Sequence, residues 1–89
     1  MGRIKSLQIY HKIDYLYLWE KIYKPEILKY HSPPIELVAE VLGISVSKVQ
    51  EQLRSGVYNY GIARKCDGDT YRYEFMSLRL IAYIEGRLS

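Results

Sequence analysis

The sequence predicts a mainly α-helical domain that carries one two-stranded β-hairpin and is preceded by a helical extension. Three observations point to this class. Two short stretches of helical apolar spacing in AEVLGISVSKVQEQLRSG, Ala39 to Gly56, are separated by Gly43 and Ser45. After Val57 the spacing gives way to alternation around an Asp67-Gly68 pair. Ahead of both, the aromatic-rich LQIYHKIDYLYLWEKIY of residues 7–23 is apolar at helical intervals.

In that first helix Ile9, Ile13, Leu16, Tyr17 and Tyr23 recur among the polar Lys12, Asp14, Glu20 and Lys21. Tyr15, Leu18, Trp19 and Ile22 widen the apolar arc beyond what a surface helix needs. Pro25 lacks an N–H and is expected to stop or kink the helix, leaving a short turn from Glu26 to Tyr30. Ser32-Pro33-Pro34 offers a serine N-cap and a proline at the first helical position, which predicts a helix over 33–41 burying Val38, Val41 and Leu42. Gly43 suits the left-handed geometry that ends such a helix. Ser45 then caps a second helix over 46–55, with Val49 and Leu53 inward and Gly56 as its stop. The hairpin strands, Gly61–Cys66 and Thr70–Phe75, flank Asp67-Gly68-Asp69, with Tyr71, Tyr73 and Phe75 on one face and Arg72 and Glu74 on the other. The aromatic face is expected to pack on a last helix, Leu78–Glu85, through Leu80, Ile81 and Ile84, which Gly86 ends. This organisation divides the chain into a helical extension, 1–31, and a domain, 32–89.

Two helices that cross steeply need a small residue at their closest approach and a turn free of Cβ strain, and Ala39 and Gly43 meet those demands. Ile44 is placed to plug the gap between them, and Val49 packs from the second helix. The run Ala39-Glu40-Val41-Leu42-Gly43-Ile44-Ser45, followed by Arg54-Ser55-Gly56, the hairpin around Asp67-Gly68, and Tyr73-Glu74-Phe75 leading into Leu78–Ile84, resembles the excisionase-like and MerR-like winged helix-turn-helix domains, including small phage-encoded members. The resemblance covers residues 33–86 in order and spacing. It implies a winged helix-turn-helix fold whose second helix enters the major groove of duplex DNA while the hairpin lies on the backbone as a wing.

Composition narrows the function classes. At 89 residues with 48% apolar and 26% charged residues, the chain is long enough for one small globular core. The single Cys66 forms no internal disulfide, no N-terminal apolar run suggests a signal peptide, and no apolar run is long enough to span a bilayer, so a cytoplasmic protein without membrane contact is expected. His11, His31 and Cys66 have no partners at catalytic or ligand spacing, and no phosphate-cradling glycine loop occurs. No enzyme activity, cofactor, metal or small-molecule substrate is expected. The net charge of +3 sits ahead of the domain: residues 1–32 hold six Lys/Arg against three acids, and residues 33–89 hold seven against seven. Strong nonspecific DNA binding is therefore not expected, because cation–phosphate contacts drive it.

On the second helix Ser47, Lys48, Gln50, Glu51 and Arg54 face outward; Gln50 and Arg54 are expected to reach base edges, and Ser47 and Lys48 to hold phosphate. Arg64, Lys65 and Arg72 are the wing candidates. Stacking of single-stranded bases on Tyr71 and Tyr73 is the weaker alternative to packing of that face. Tyr15, Leu18, Trp19 and Ile22 are expected to form a self-association surface, giving a homodimer through the N-terminal helix, with simple packing onto the domain as the competing reading. The expected function is sequence-directed duplex DNA binding by a small phage or mobile-element regulator or recombination directionality factor. The alternative is a protein-interaction adaptor, or a phage assembly or DNA-packaging component, using the same fold.

Overall fold

The computed structural model describes residues 11–88, with side chains from residue 15 onward. The elements run α1 (His11–Leu18), a π-helical turn (Trp19–Tyr23), α2 (Lys24–Ile27), α3 (Ile35–Leu42), α4 (Val46–Ser55), β1 (Gly61–Lys65), β2 (Tyr71–Phe75) and α5 (Ser77–Leu88). The fold is mainly helical with one antiparallel hairpin, as the sequence predicts. The part of the first helix expected over residues 7–10 lies outside the described residues.

Pro25 does not stop the first helix. The Lys24 N–H reaches back five residues to the Trp19 carbonyl, so the turn ahead of the proline is widened to π geometry. A proline ring presses on the carbonyl four residues back in a regular helix, and the wider turn relieves that contact. The extra residue also resets the phase. Two α-turns take about seven residues, and the π-turn adds one, so positions eight apart share a face. Trp19 and Ile27 are both fully buried, and the rings of Tyr15 and Tyr23 approach to 5.9 Å.

Ser32 is not the cap of α3. Pro34 occupies the N-cap in extended geometry, and the Ser32 hydroxyl instead accepts the Phe75 backbone N–H at 3.2 Å, tying the loop to β2. The other end of α3 follows the sequence closely. Gly43 has φ +74°, its N–H bonds to the Glu40 carbonyl, and the Ile44 N–H bonds to the Ala39 carbonyl, both at 3.1 Å. This paired closure satisfies two carbonyls that a helix end leaves open. Ala39, Val38 and Val41 are buried, while Leu42 is half-buried. The Ser45 hydroxyl accepts the Lys48 N–H at 3.0 Å and starts α4, which buries Val49 and Leu53 and ends at Gly56 with φ +78°.

In the hairpin Gly61 opposes Phe75, Ala63 opposes Tyr73, and Lys65 opposes Tyr71, so these six share one face; Ile62 with Glu74 and Arg64 with Arg72 form the other. Gly61 is required by proximity, since a Cβ there would stand 2.7 Å from the Phe75 ring. The last helix runs through Gly86 to Leu88 and has no left-handed residue at that position, so the expected stop is absent. One core cluster joins Trp19 and Ile27 to Val38, Val49, Leu53, Tyr60, Phe75, Leu80, Ile81 and Ile84, crossing the boundary expected near residue 31.

Two polar joints fasten the N-terminal helices to α5. Glu85 Oε2 accepts the Trp19 indole N–H at 3.1 Å and the Lys24 ammonium at 2.6 Å. The buried Ser77 hydroxyl sits among the carbonyls of Ile27, Tyr30 and His31, where α2 ends. Tyr60, fully buried, links α4 to α5: its hydroxyl donates to Gln52 Oε1 at 2.8 Å, and its ring lies 4.9 Å from that of Tyr83. Burial pushes the Tyr60 phenol up to about 12, and burial does the same to Tyr15, whose hydroxyl donates to the Val41 carbonyl at 2.7 Å.

Candidate nucleic-acid interface

The outer side of α4 and the adjoining hairpin hold the candidate residues. Ser47, Lys48, Glu51 and Arg54 are exposed, and Gln50 is half-buried. Their exposure follows from the Ser45 cap, which sets the phase that turns Val49 and Leu53 inward. Lys48 lies 3.8 Å from Glu51 one turn on, an exposed pair of the kind that contributes little to stability.

The three hairpin cations are exposed but do not form one patch. Alternation puts Lys65 on the face of Tyr71 and Tyr73, and Arg64 and Arg72 on the other. Arg64 and Arg72 are directly opposed, an unfavourable pairing of like charges. Arg64 turns to Glu74 at 3.1 Å and leaves Arg72 without a carboxylate among the described residues.

What the fold does bring together is Arg54 with Tyr71 and Tyr73. Arg54 Nη1 donates to the Tyr73 hydroxyl at 2.8 Å, and its guanidinium carbon lies 5.8 Å from the centroid of the Tyr71 ring. The two rings stack 6.3 Å apart with 25° between their planes. A cation held this way at an exposed site gains about 0.5–1 kcal/mol. Of the aromatic face expected against the last helix, Phe75 enters the core and Tyr73 packs against it, while the Tyr73 hydroxyl and the Tyr71 ring meet Arg54 of α4. The signal was the two-residue spacing of the tyrosines, which fixes a shared face without saying which element covers it.

The expected self-association arc is divided. Trp19 is 0% exposed and belongs to the core, Tyr15 and Leu18 are half-buried, and of the four only Ile22 is exposed, at 51%. The widened turn that buries Trp19 leaves Tyr17 as the exposed aromatic neighbour. A separate apolar groove lies between the end of α2 and the start of α5, lined by Leu28, Tyr30, Met76 and Leu78 with His31 and Arg79 at its edge. Among the described residues, no helix is long and apolar enough to cross a membrane, and no cluster of His, Cys, Asp and Glu has the proximity to hold a metal.

These features define a small, mainly helical domain with an antiparallel hairpin leaning on its fourth helix. No family model, no curated protein and no solved structure matches the chain.

Proposed function

We infer that this chain is a sequence-directed duplex-DNA-binding protein of the winged helix-turn-helix kind. The observation that carries the reading is the unit α3–Gly43–Ser45–α4, closed by paired carbonyl bonds and a serine cap, with Ser47, Lys48, Glu51 and Arg54 left on its outer side. In this reading α4 enters the major groove, where Gln50 reads base edges and Ser47 and Lys48 hold phosphate. The hairpin is the wing, and Arg64, Lys65 and Arg72 reach the flanking backbone from its two sides. The resemblance to excisionase-like and MerR-like domains supports a regulator or recombination directionality factor of a phage or mobile element. A domain with balanced charge binds weakly as one copy, so we propose that two copies act together, meeting through exposed Tyr17 and Ile22 of the N-terminal helix rather than through Trp19.

The test is selection from random duplex DNA, repeated at two salt concentrations, beside sedimentation of the free chain. Recovery of a defined site with steep salt dependence supports the reading. No duplex retained at low salt ends it.

A protein-interaction adaptor, including a phage assembly or packaging component, is favoured by a different observation. Leu28 and Leu78 stand 53% and 75% exposed at the groove between α2 and α5, which no DNA candidate residue lines. Leu78→Asp leaves duplex binding intact if DNA is the ligand, and abolishes partner binding if the groove is the working surface.

A further inference from the structure

Lys24, Lys29, Lys48 and Arg64 each lie against a carboxylate: Glu85, Glu26, Glu51 and Glu74. Arg54 has no carboxylate partner among the described residues, yet it is held at two points. The Tyr73 hydroxyl accepts one of its N–H groups at 2.8 Å, and the Tyr71 ring lies beneath the guanidinium. A phenol and a ring fix the direction of the side chain without cancelling its charge. Of the five donors in the planar fork, four remain for a ligand. Lys65, opposed to Tyr71 in the hairpin register and also without a carboxylate among the described residues, stands on the same face. The seam between α4 and β2 thus carries one oriented cation, with a second on the same hairpin face.

An arginine that reads bases must extend away from the protein into the groove. Arg54 lies instead along the hairpin, in the last turn of α4, whereas helices docked in the major groove contact base edges mainly with their N-terminal residues. The geometry points to a phosphodiester clamp: Arg54, positioned by Tyr73 and Tyr71 and joined by Lys65, binds one backbone phosphate at the α4–β2 seam. This replaces the base-reading role expected of Arg54 from its place on the helix, and it rests on the duplex-binding reading. Tyr73 is a positioning residue, acting through Arg54.

The experiment uses the intact chain and two probes. Duplexes carrying the selected site and its single-base-pair variants are titrated across a salt series, and inorganic pyrophosphate is titrated while the Arg54 side-chain N–H signals are followed by NMR. Arg54→Ala is expected to weaken every duplex alike, about tenfold, and to lower the salt slope by about 1. Tyr73→Phe keeps the ring and every charge; it should weaken binding several-fold with the salt slope and melting temperature unchanged. Pyrophosphate should shift the Arg54 signals in the wild type and less so in Tyr73→Phe. If Arg54→Ala relaxes the preference at one base pair and spares the variant sites, the clamp is overturned while the duplex reading stands. If the wild type binds no duplex but pyrophosphate still moves Arg54 in a Tyr73-dependent way, the duplex reading falls and the anion clamp stands. Silence with both probes removes both.

Discussion

At the joint between the N-terminal helices and α5, the indole of Trp19 is fully buried and donates to Glu85, which also takes the Lys24 ammonium. At the seam between α4 and β2, the rings of Tyr71 and Tyr73 are half-buried and hold Arg54, which stays exposed and keeps its charge. Both places set aromatic side chains against ions. In the first, opposite charges satisfy each other and the aromatic body serves the core. In the second, only a neutral group and a ring touch the cation, so its charge remains for something outside the molecule. The difference separates an internal fastening from an exposed cation whose direction is fixed and whose charge is not cancelled.

The largest expected effect tests the first half of that contrast. Trp19→Ala removes a fully buried side chain and should destabilise the fold by about 3–5 kcal/mol, read by thermal or urea unfolding. A loss below about 1 kcal/mol would place the indole outside the core. Next, the hairpin should owe its position to the close approach of Gly61 and Phe75 rather than to the clamp. Gly61→Ala puts a methyl 2.7 Å from the Phe75 ring and should cost about 1–3 kcal/mol.

The joint also predicts a pH dependence. The hydrogen bond from Lys24, and then that from Trp19, hold the Glu85 carboxyl below the usual glutamate range. The folded protein therefore binds that proton less readily than the unfolded chain. The contribution is complete above the ordinary glutamate pKa and is lost as pH falls through the lowered folded value. Glu85→Gln should flatten the stability–pH curve in that acid window, measured by urea unfolding at a series of pH values. An unchanged slope would mean the joint is not held by charge. The smallest effect belongs to the seam: Arg54→Ala should alter stability by no more than about 1 kcal/mol. A loss approaching that of Trp19→Ala would erase the distinction between the two places.

Elements set by one or two residues with specific backbone demands were legible in the sequence. Gly43 and Gly56 take positive φ, Ser45 caps α4, and the Asp67-Gly68 turn closes the hairpin with Gly68 at φ +61°. Features that depend on distant partners were not. Trp19 looked like part of an exposed arc because it lies beside the face of Ile13, Leu16, Tyr17 and Tyr23, and Pro25 reads as a stop rather than as the π-turn that brings Trp19 into line with Ile27. Ser32 has the chemistry of an N-cap but is claimed by Phe75, 43 residues away in sequence. Gly86 tolerates helical geometry as readily as a stop, and the helix continues through it to Leu88. For the candidate interface, the exposure of Lys48 and Arg54 followed from helical phase. The splitting of Lys65 from Arg64 and Arg72 followed from strand alternation once the register was known. That Tyr71 and Tyr73 meet Arg54 depends on the hairpin lying along α4, which no local pattern encodes.

Tryptophan occurs once in this chain, among ten tyrosines. Its burial against Glu85 gives the molecule a single optical address, remote in sequence from the seam. Indole emission, excited apart from the phenols, reports whether the N-terminal helices remain seated on α5: water reaching the ring moves the emission to the red. The seam contains only tyrosines, so an anion arriving there speaks through phenol fluorescence and leaves the indole wavelength alone. One unlabelled chain thus carries two colours, one for its internal fastening and one for its outward surface.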